Sequence, residues 1–503
     1  MVHLPAELIH QIVGYIQISH PREEEYGWSR SVPPNTSLAP YATVSRQWQA
    51  VVESIVWQRV TLSKWGSLEQ LRQLTSKDDP DRSVRIRYIR ELGWADCMVD
   101  WSDVNEKTSW GRDETLCAQL FPEWYDRAFY RSLSDLFQLL DEWKEQKTAS
   151  SMELSLWLDG GDLLPCKNNA DAIVDRSECA SLNVPALWRR FQIPYQAQLA
   201  REDIAALPII PYITSVTLPN IDSCEIGPSA FLGLLSRFPR LRHVSGGEGR
   251  SIPRAALRAL ADRRRELTNH LSLAPESVET FKYEVDDLRE MSWNPLHDAA
   301  NYLSPHGVDE LSIAFRSLST RLRKLYLASV RISSSLFWPA PGETDSDATA
   351  LHWPKMEEML ILDVPPYTAD GKWILDTDPG RWCAYDLEAD PDQDWEYDLT
   401  PYGQRGIIKA AEADKLYEAM GHAARRMPRL RRLHFTLRAE DGEEGLTELL
   451  EFDRDLTSGK AWLGIESDSD TYTPGEEVRA AWGVPGNSAN RFEWHCVEFD
   501  QWP

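Results

Sequence analysis

Apolar residues recur along this chain with two different periods, and each period predicts its own kind of element. Near the amino end Leu8, Ile9, Ile12, Val13 and Ile16 fall on one helical stripe. Pro5 suits a first helical turn, where its missing N–H removes no bond, and Glu7 favours the positive end of the helix dipole. A polar, Pro-containing run over 17–37 reads as a loop. Helical character resumes over 38–62, with Ser45 placed to cap it and Trp48, Val51, Val52 and Ile55 on one face. Trp57, Val60 and Leu62 continue that apolar series. Three short helices are therefore expected within residues 1–62, a unit too small for a generous core of its own. Its apolar stripe must bury either there or against another protein.

From residue 63 to 503 the pattern changes to the leucine-rich strand template L-x-x-L-x-L. Leu322–Leu327 fits it fully and Leu430–Phe435 fits with Phe last. Looser matches begin at Ile213, Leu241, Val278 and Met356. The match at 308–313 runs directly into the next strand and reads better as the helix before it. Helical stretches at 254–272 and 407–426 alternate with the strands. Successive accepted matches are 28, 37, 44, 34 and 74 residues apart. A regular array repeats every ~20–29 residues. The predicted fold is therefore α/β, an irregular leucine-rich-repeat-like solenoid with a mostly parallel sheet, preceded by the small helical unit. Strands at 84–92 and 152–158 extend the sheet towards that unit, and 490–499 adds a final one. The longest interval holds an acidic insert at about 365–406, rich in Pro, Gly, Asp and Trp.

The two amino-terminal segments together, Leu4–Ile16 and Leu38–Leu62, resemble the F-box, in particular that of filamentous-fungal proteins. The agreement covers Leu4, Pro5, Glu7, Leu8 and Ile12, then Val44, Ser45, Arg46 and Trp48, and ends at the pair Val56-Trp57. The intervening loop is longer than in compact versions of the motif. The resemblance implies a hydrophobic surface for a Skp-type adaptor, contributed by Leu4, Pro5, Leu8, Ile12, Val44 and Trp48, with Trp57 packed inside the domain. It further implies a link through the adaptor to a cullin–RING ubiquitin ligase. The chain would then be a non-catalytic substrate receptor, or a scaffold that keeps the adaptor and dispenses with the cullin.

Charge narrows the partners. The formal net charge is −25, so the molecule as a whole repels nucleic acid and anionic lipid. No apolar run is long enough to span a bilayer, and the amino-terminal stripe lacks the basic lead and cleavage site of a secretory signal. Seven widely spaced cysteines, with no C-x-x-C, fit a reducing compartment, cytosol or nucleus.

Catalytic and metal motifs are missing from the sequence, and no cofactor is implied. The acid-rich runs at 386–398 and 466–477 lack the Gly that a calcium loop needs at its turn and read as solvated loops. The twenty-one tryptophans are expected mainly in the core. A Trp-rich acidic hydrolase rests on composition alone and requires two close carboxylates in a pocket, one with a raised pKa. One concentration stands out against the acidic background. On the strand face opposite the buried positions the template places His243, Lys324 and Arg432, then Tyr326 and His434 two residues on, with Arg242, Arg323 and Arg431 beside them. This face is expected to hold a negatively charged partner segment, although Thr280 and Glu358 take the same place in the intervening repeats.

Overall fold

A computed structural model describes residues 8–9, 11, 41, 43–62, 67–95, 114–147, 151–157, 196–218, 225–248, 257–285, 301–303, 307–339, 351–377, 405–438, 447–466, 472–484, 497–499 and 501–502. Twelve strands form one sheet: β1 (Arg59–Leu62), β2 (Glu91–Ala95), β3 (Met152–Trp157), β4 (Ile213–Thr217), β5 (His243–Glu248), β6 (Thr280–Val285), β7 (Lys324–Ala328), β8 (Glu358–Val364), β9 (Arg432–Arg438), β10 (Thr447–Arg454), β11 (Ala461–Glu466) and β12 (Val497–Phe499). Their order across the sheet is their order along the chain. β1 to β9 run parallel, and β10, β11 and β12 are added antiparallel.

Among the described residues ten helices with defined bounds accompany the sheet: α1 (Arg46–Val56), α2 (Ser67–Leu74), α3 (Pro80–Tyr88), α4 (Glu114–Glu142), α5 (Arg201–Ala206), α6 (Pro228–Leu235), α7 (Leu257–His270), α8 (Glu310–Ser319), α9 (Ala410–Ala424) and α10 (Glu476–Trp482). None of them is long and apolar enough to cross a membrane among the described residues.

The leucine-rich template explains which residues turn inward. Leu322, Leu325 and Leu327 are buried, as are Met356, Met359 and Ile361 in the next strand and Leu430, Leu433 and Phe435 in the one after. The intervening Lys324 and Tyr326, or Glu358 and Leu360, are only half-buried. Parallel sheets are normally covered on both faces. Here the strands alternate as a one-sided sheet does, apolar towards the helices and polar away from them. One continuous core runs from Leu62 to Trp502 behind the covered face.

All six accepted template matches are strands, and the match at 308–313 opens α8, as read from its context. The strand expected over 84–92 is a correction. Val84, Ile86 and Tyr88 alternate like a strand, but Asp79 and Pro80 supply a helix start, and the Asp79 carbonyl accepts from the Ser83 N–H at 2.9 Å. The strand begins only at Glu91. Val60 and Leu62 are likewise in a strand, not a helix. The Gln58 carbonyl accepts from the Arg90 and Glu91 N–H groups at 2.8 and 2.9 Å, which locks β1 beside β2. The sheet therefore starts at Arg59, inside the segment expected to be helical throughout.

The far end is closed tightly. A Cβ on Gly421 of α9 would lie 2.8 Å from the Trp482 ring and 2.9 Å from the Ala481 backbone. Glycine is what lets α10 approach so closely, and the Trp482 indole donates to the Tyr417 carbonyl at 2.8 Å. Within the insert, Leu375–Thr377 pairs antiparallel with Arg405–Ile408 and ties its two ends together. The acid run at 386–398 lies outside the described residues.

Candidate functional site: an apolar amino-terminal edge and an open sheet face

At the amino end Ile9, Val51 and Val52 form a small core separate from the main one, with Trp48, Ile55 and Val56 packed against it. Ser45 caps α1 as expected, its hydroxyl accepting from the Trp48 N–H at 3.3 Å. Ile9 is fully buried while its neighbour Leu8 is 44% exposed. Val44, one residue before the cap, is 63% exposed. Tyr41 stacks on Trp48 with ring centroids 6.3 Å apart and is itself 36% exposed. Leu8, Val44 and Trp48 of the expected adaptor-binding set thus lie at the surface or half-buried, with Tyr41 an aromatic addition to them. Leu4, Pro5 and Ile12 lie outside the described residues.

Trp57 does not complete the small core. It packs against the main one, under the Arg85 guanidinium at 5.1 Å, and Arg85 also bonds Glu53 at 3.0 Å. This contact sets α1 against α3.

The open face gathers the basic residues singled out from the template, and the register explains how. Lys324 sits beside Thr280 on one side and Glu358 on the other, and Glu358 sits beside Arg432. One residue earlier, Arg323, Glu357 and Arg431 stand in the same succession, joined by backbone bonds of 2.7 and 2.8 Å. Adjacent strands therefore carry opposite charges. Arg323 bonds both Glu357 oxygens at 3.0 Å and reaches Glu279 at 3.4 Å. Lys324 meets Glu358 at 2.8 Å, and Arg432 meets Asp453 at 3.1 Å. Hydrogen bonding from Arg323 holds the Glu357 carboxyl below the usual carboxylate range.

The expectation of a free basic stripe is corrected accordingly. Arg323, Lys324 and Arg432 are neutralised by acids on the neighbouring strands. Arg431 and His243 are exposed and make no ion pair among the described residues. Tyr326 lies under the Lys282 ammonium at 4.8 Å, and Lys282 also bonds Glu284 at 3.0 Å.

His434 faces Glu451 across β9 and β10. Burial, and then the charge of Asp453, pushes the Glu451 carboxyl up. Two close carboxylates with one raised is half of what a hydrolase requires. Both belong to the sheet's open face, and Asp453 is held by Arg432. Among the described residues no three His, Cys, Asp or Glu side chains are grouped to hold a metal ion. No protein-family model matches the chain, and no curated protein or solved structure matches it.

Proposed function

We propose that the chain is an F-box-type substrate receptor. Its amino-terminal unit docks on a Skp-type adaptor of a cullin–RING ligase, and the sheet captures a protein target for ubiquitination. The receptor contributes proximity, and the transfer chemistry belongs to its partners. The observation that carries this reading is that Leu8 and Val44 remain exposed although the unit has closed its own core on Ile9, Val51 and Val52. Covering such aliphatic side chains contributes about 1.5–3 kcal/mol each, much of it offset by the entropy of association. The chain-ordered parallel strands support reading the region from Arg59 onward as an irregular leucine-rich solenoid. A cytosolic or nuclear location goes with this reading.

Capture of purified Skp-type adaptor by the full chain tests it. Replacing Leu8, Val44 and Trp48 together by Ala is expected to weaken capture at least a hundredfold while leaving the sheet's unfolding midpoint unchanged. Wild-type chain that fails to hold the adaptor sinks the proposal. Co-purification of the cullin with the adaptor separates a ligase subunit from a scaffold.

A further inference from the structure

The cations left unneutralised by the face collect along one rim of the sheet. The entry residues of successive strands are tied in line: the Arg242 carbonyl accepts from Glu279, that of Glu279 from Arg323, that of Arg323 from Glu357, and that of Glu357 from Arg431. β10 runs the other way, so its end joins the same rim, with the Arg454 N–H donating to the Arg431 carbonyl at 2.7 Å. The segments leading into β5 to β9 and the turn after β10, at 236–242, 271–279, 320–323, 351–357, 425–431 and 455–460, hold eleven lysines and arginines against four carboxylates. That local excess of positive charge sits in a chain whose net charge is −25.

Structural duties explain only part of it. Arg237 donates to the Ala205 and Leu207 carbonyls and Arg321 to that of Ala274, so these two staple neighbouring turns. Arg425 and Arg426 follow α9 and suit the negative end of its dipole. Arg240, Arg242, Lys355, Arg429 and Arg431 have neither duty. All five are exposed and make no side-chain hydrogen bond or ion pair among the described residues, and Arg431 is near enough to Glu357 for its charge to act on that carboxyl. Leu273 and Leu456 also protrude along this rim.

We propose that this rim docks a linear, carboxylate-rich segment of a partner protein. The inference rests on the receptor reading for the partner's role as substrate, and on the rim itself for its chemistry. A phosphate group wants several guanidinium groups converging on it. Here Arg242, Arg323 and Arg431 lead β5, β7 and β9, and Glu279 and Glu357 stand between them. Single charges spread along a peptide fit that spacing better than a concentrated dianion. Arg323 is already held by Glu357 and Glu279, so the free guanidinium groups at strand entries are those of Arg242 and Arg431, four strands and about 19 Å apart, close to the rise of six residues of extended chain, about 20 Å. The best ligand therefore carries Asp or Glu six residues apart, a spacing that Glu at every third position includes. A short peptide meets only the rim, whereas a duplex or a vesicle also faces the acidic remainder of the molecule across about a Debye length.

The test is fluorescence anisotropy with the full chain at about 0.15 M salt. The probes are a twelve-residue peptide with Glu at every third position, an isomer with the same Glu residues clustered at one end, a phosphoserine peptide of equal charge, a DNA duplex, and phosphatidylserine vesicles. The spaced peptide is expected to bind at least fivefold tighter than every other probe. The pair Arg242→Glu and Arg431→Glu should weaken it at least tenfold, and the matching Gln pair by less. Circular-dichroism melts confirm that both variants fold. Absence of binding by the spaced peptide, equal binding by any other probe, or indifference to the Glu pair overturns the inference. Adaptor capture by the same preparation is scored separately, so a failed rim and a failed receptor reading give different results.

Discussion

The cluster of Ile9, Val51 and Val52 and the core running from Leu62 to Trp502 follow one rule, apolar faces turned inward, yet they leave opposite surfaces. The large core buries its strand leucines, Leu325, Leu327 and Leu433 among them, and the open face carries mainly charge, with Leu273 and Leu456 protruding only at the rim. The small cluster cannot enclose its own aliphatics, and Leu8 and Val44 stay outside. A unit of that size has too little volume for its surface. The difference teaches where to look for a partner: apolar contact at the amino end, ionic contact along the sheet.

The sharpest break of this comparison is a cavity on each side of it. Phe315 of α8 is fully buried, and Phe315→Ala should lower stability by about 3–5 kcal/mol in urea unfolding of the main transition. Val52→Ala should leave that transition in place and speed hydrogen exchange only in α1. If Val52→Ala shifts the main midpoint as Phe315→Ala does, the two clusters form one cooperative unit and the contrast disappears.

A buried ion pair gives the next largest effect. Asp309 is buried, accepts from Arg264 at 2.7 Å and from the Ser312 hydroxyl at 2.6 Å. Burial alone pushes its carboxyl up, but the Arg264 charge and the hydrogen bonds win and hold it below the usual range. Because the folded value is the lower one, this stabilisation is present above the unfolded pKa, about 3.9. It is lost as pH falls through the folded value. Asp309→Ala should cost about 3 kcal/mol at neutral pH and flatten the acid limb of the stability curve, read by urea unfolding between pH 7 and 3.

The smallest effect tests the hinge between the two regions. Glu53 and Arg85 are mostly shielded from solvent, at 3.0 Å, and a double-mutant cycle with Ala at each should give a coupling of about 0.5–1 kcal/mol. A zero coupling would mean that Trp57 alone sets α1 against the sheet.

Much of the fold was legible because burial writes itself into spacing. The template found β4 to β9, and the same spacing recurs at Ile89, Leu92 and Trp94, all buried, where an alternating helix sequence just before it obscured the signal. Trp57, Val60 and Leu62 repeat it again at the first strand, masked by the helical stripe they follow. The charge pairing was not legible. Arg323 and Glu357 are 34 residues apart, and Arg432 and Asp453 are 21 apart. Those intervals are irregular, so only the register reveals that Arg323 and Arg432 each have an acid at their side. Tyr41 carried no periodic signal, since it precedes α1 and gains its place by stacking on Trp48.

The chain-ordered sheet has a consequence for how this molecule can change. Each strand bonds only to its predecessor and successor, so the sheet's hydrogen bonding holds the excursion between two of them only at its ends, and its helix is held by burial in the core. Spacings from 28 to 74 residues are accommodated without any exchange of neighbours. Peptide can be gained or lost between strands while the lateral stacking persists. The outline of the binding rim can therefore be re-cut by length variation, with the hydrogen-bonded spine left as it is.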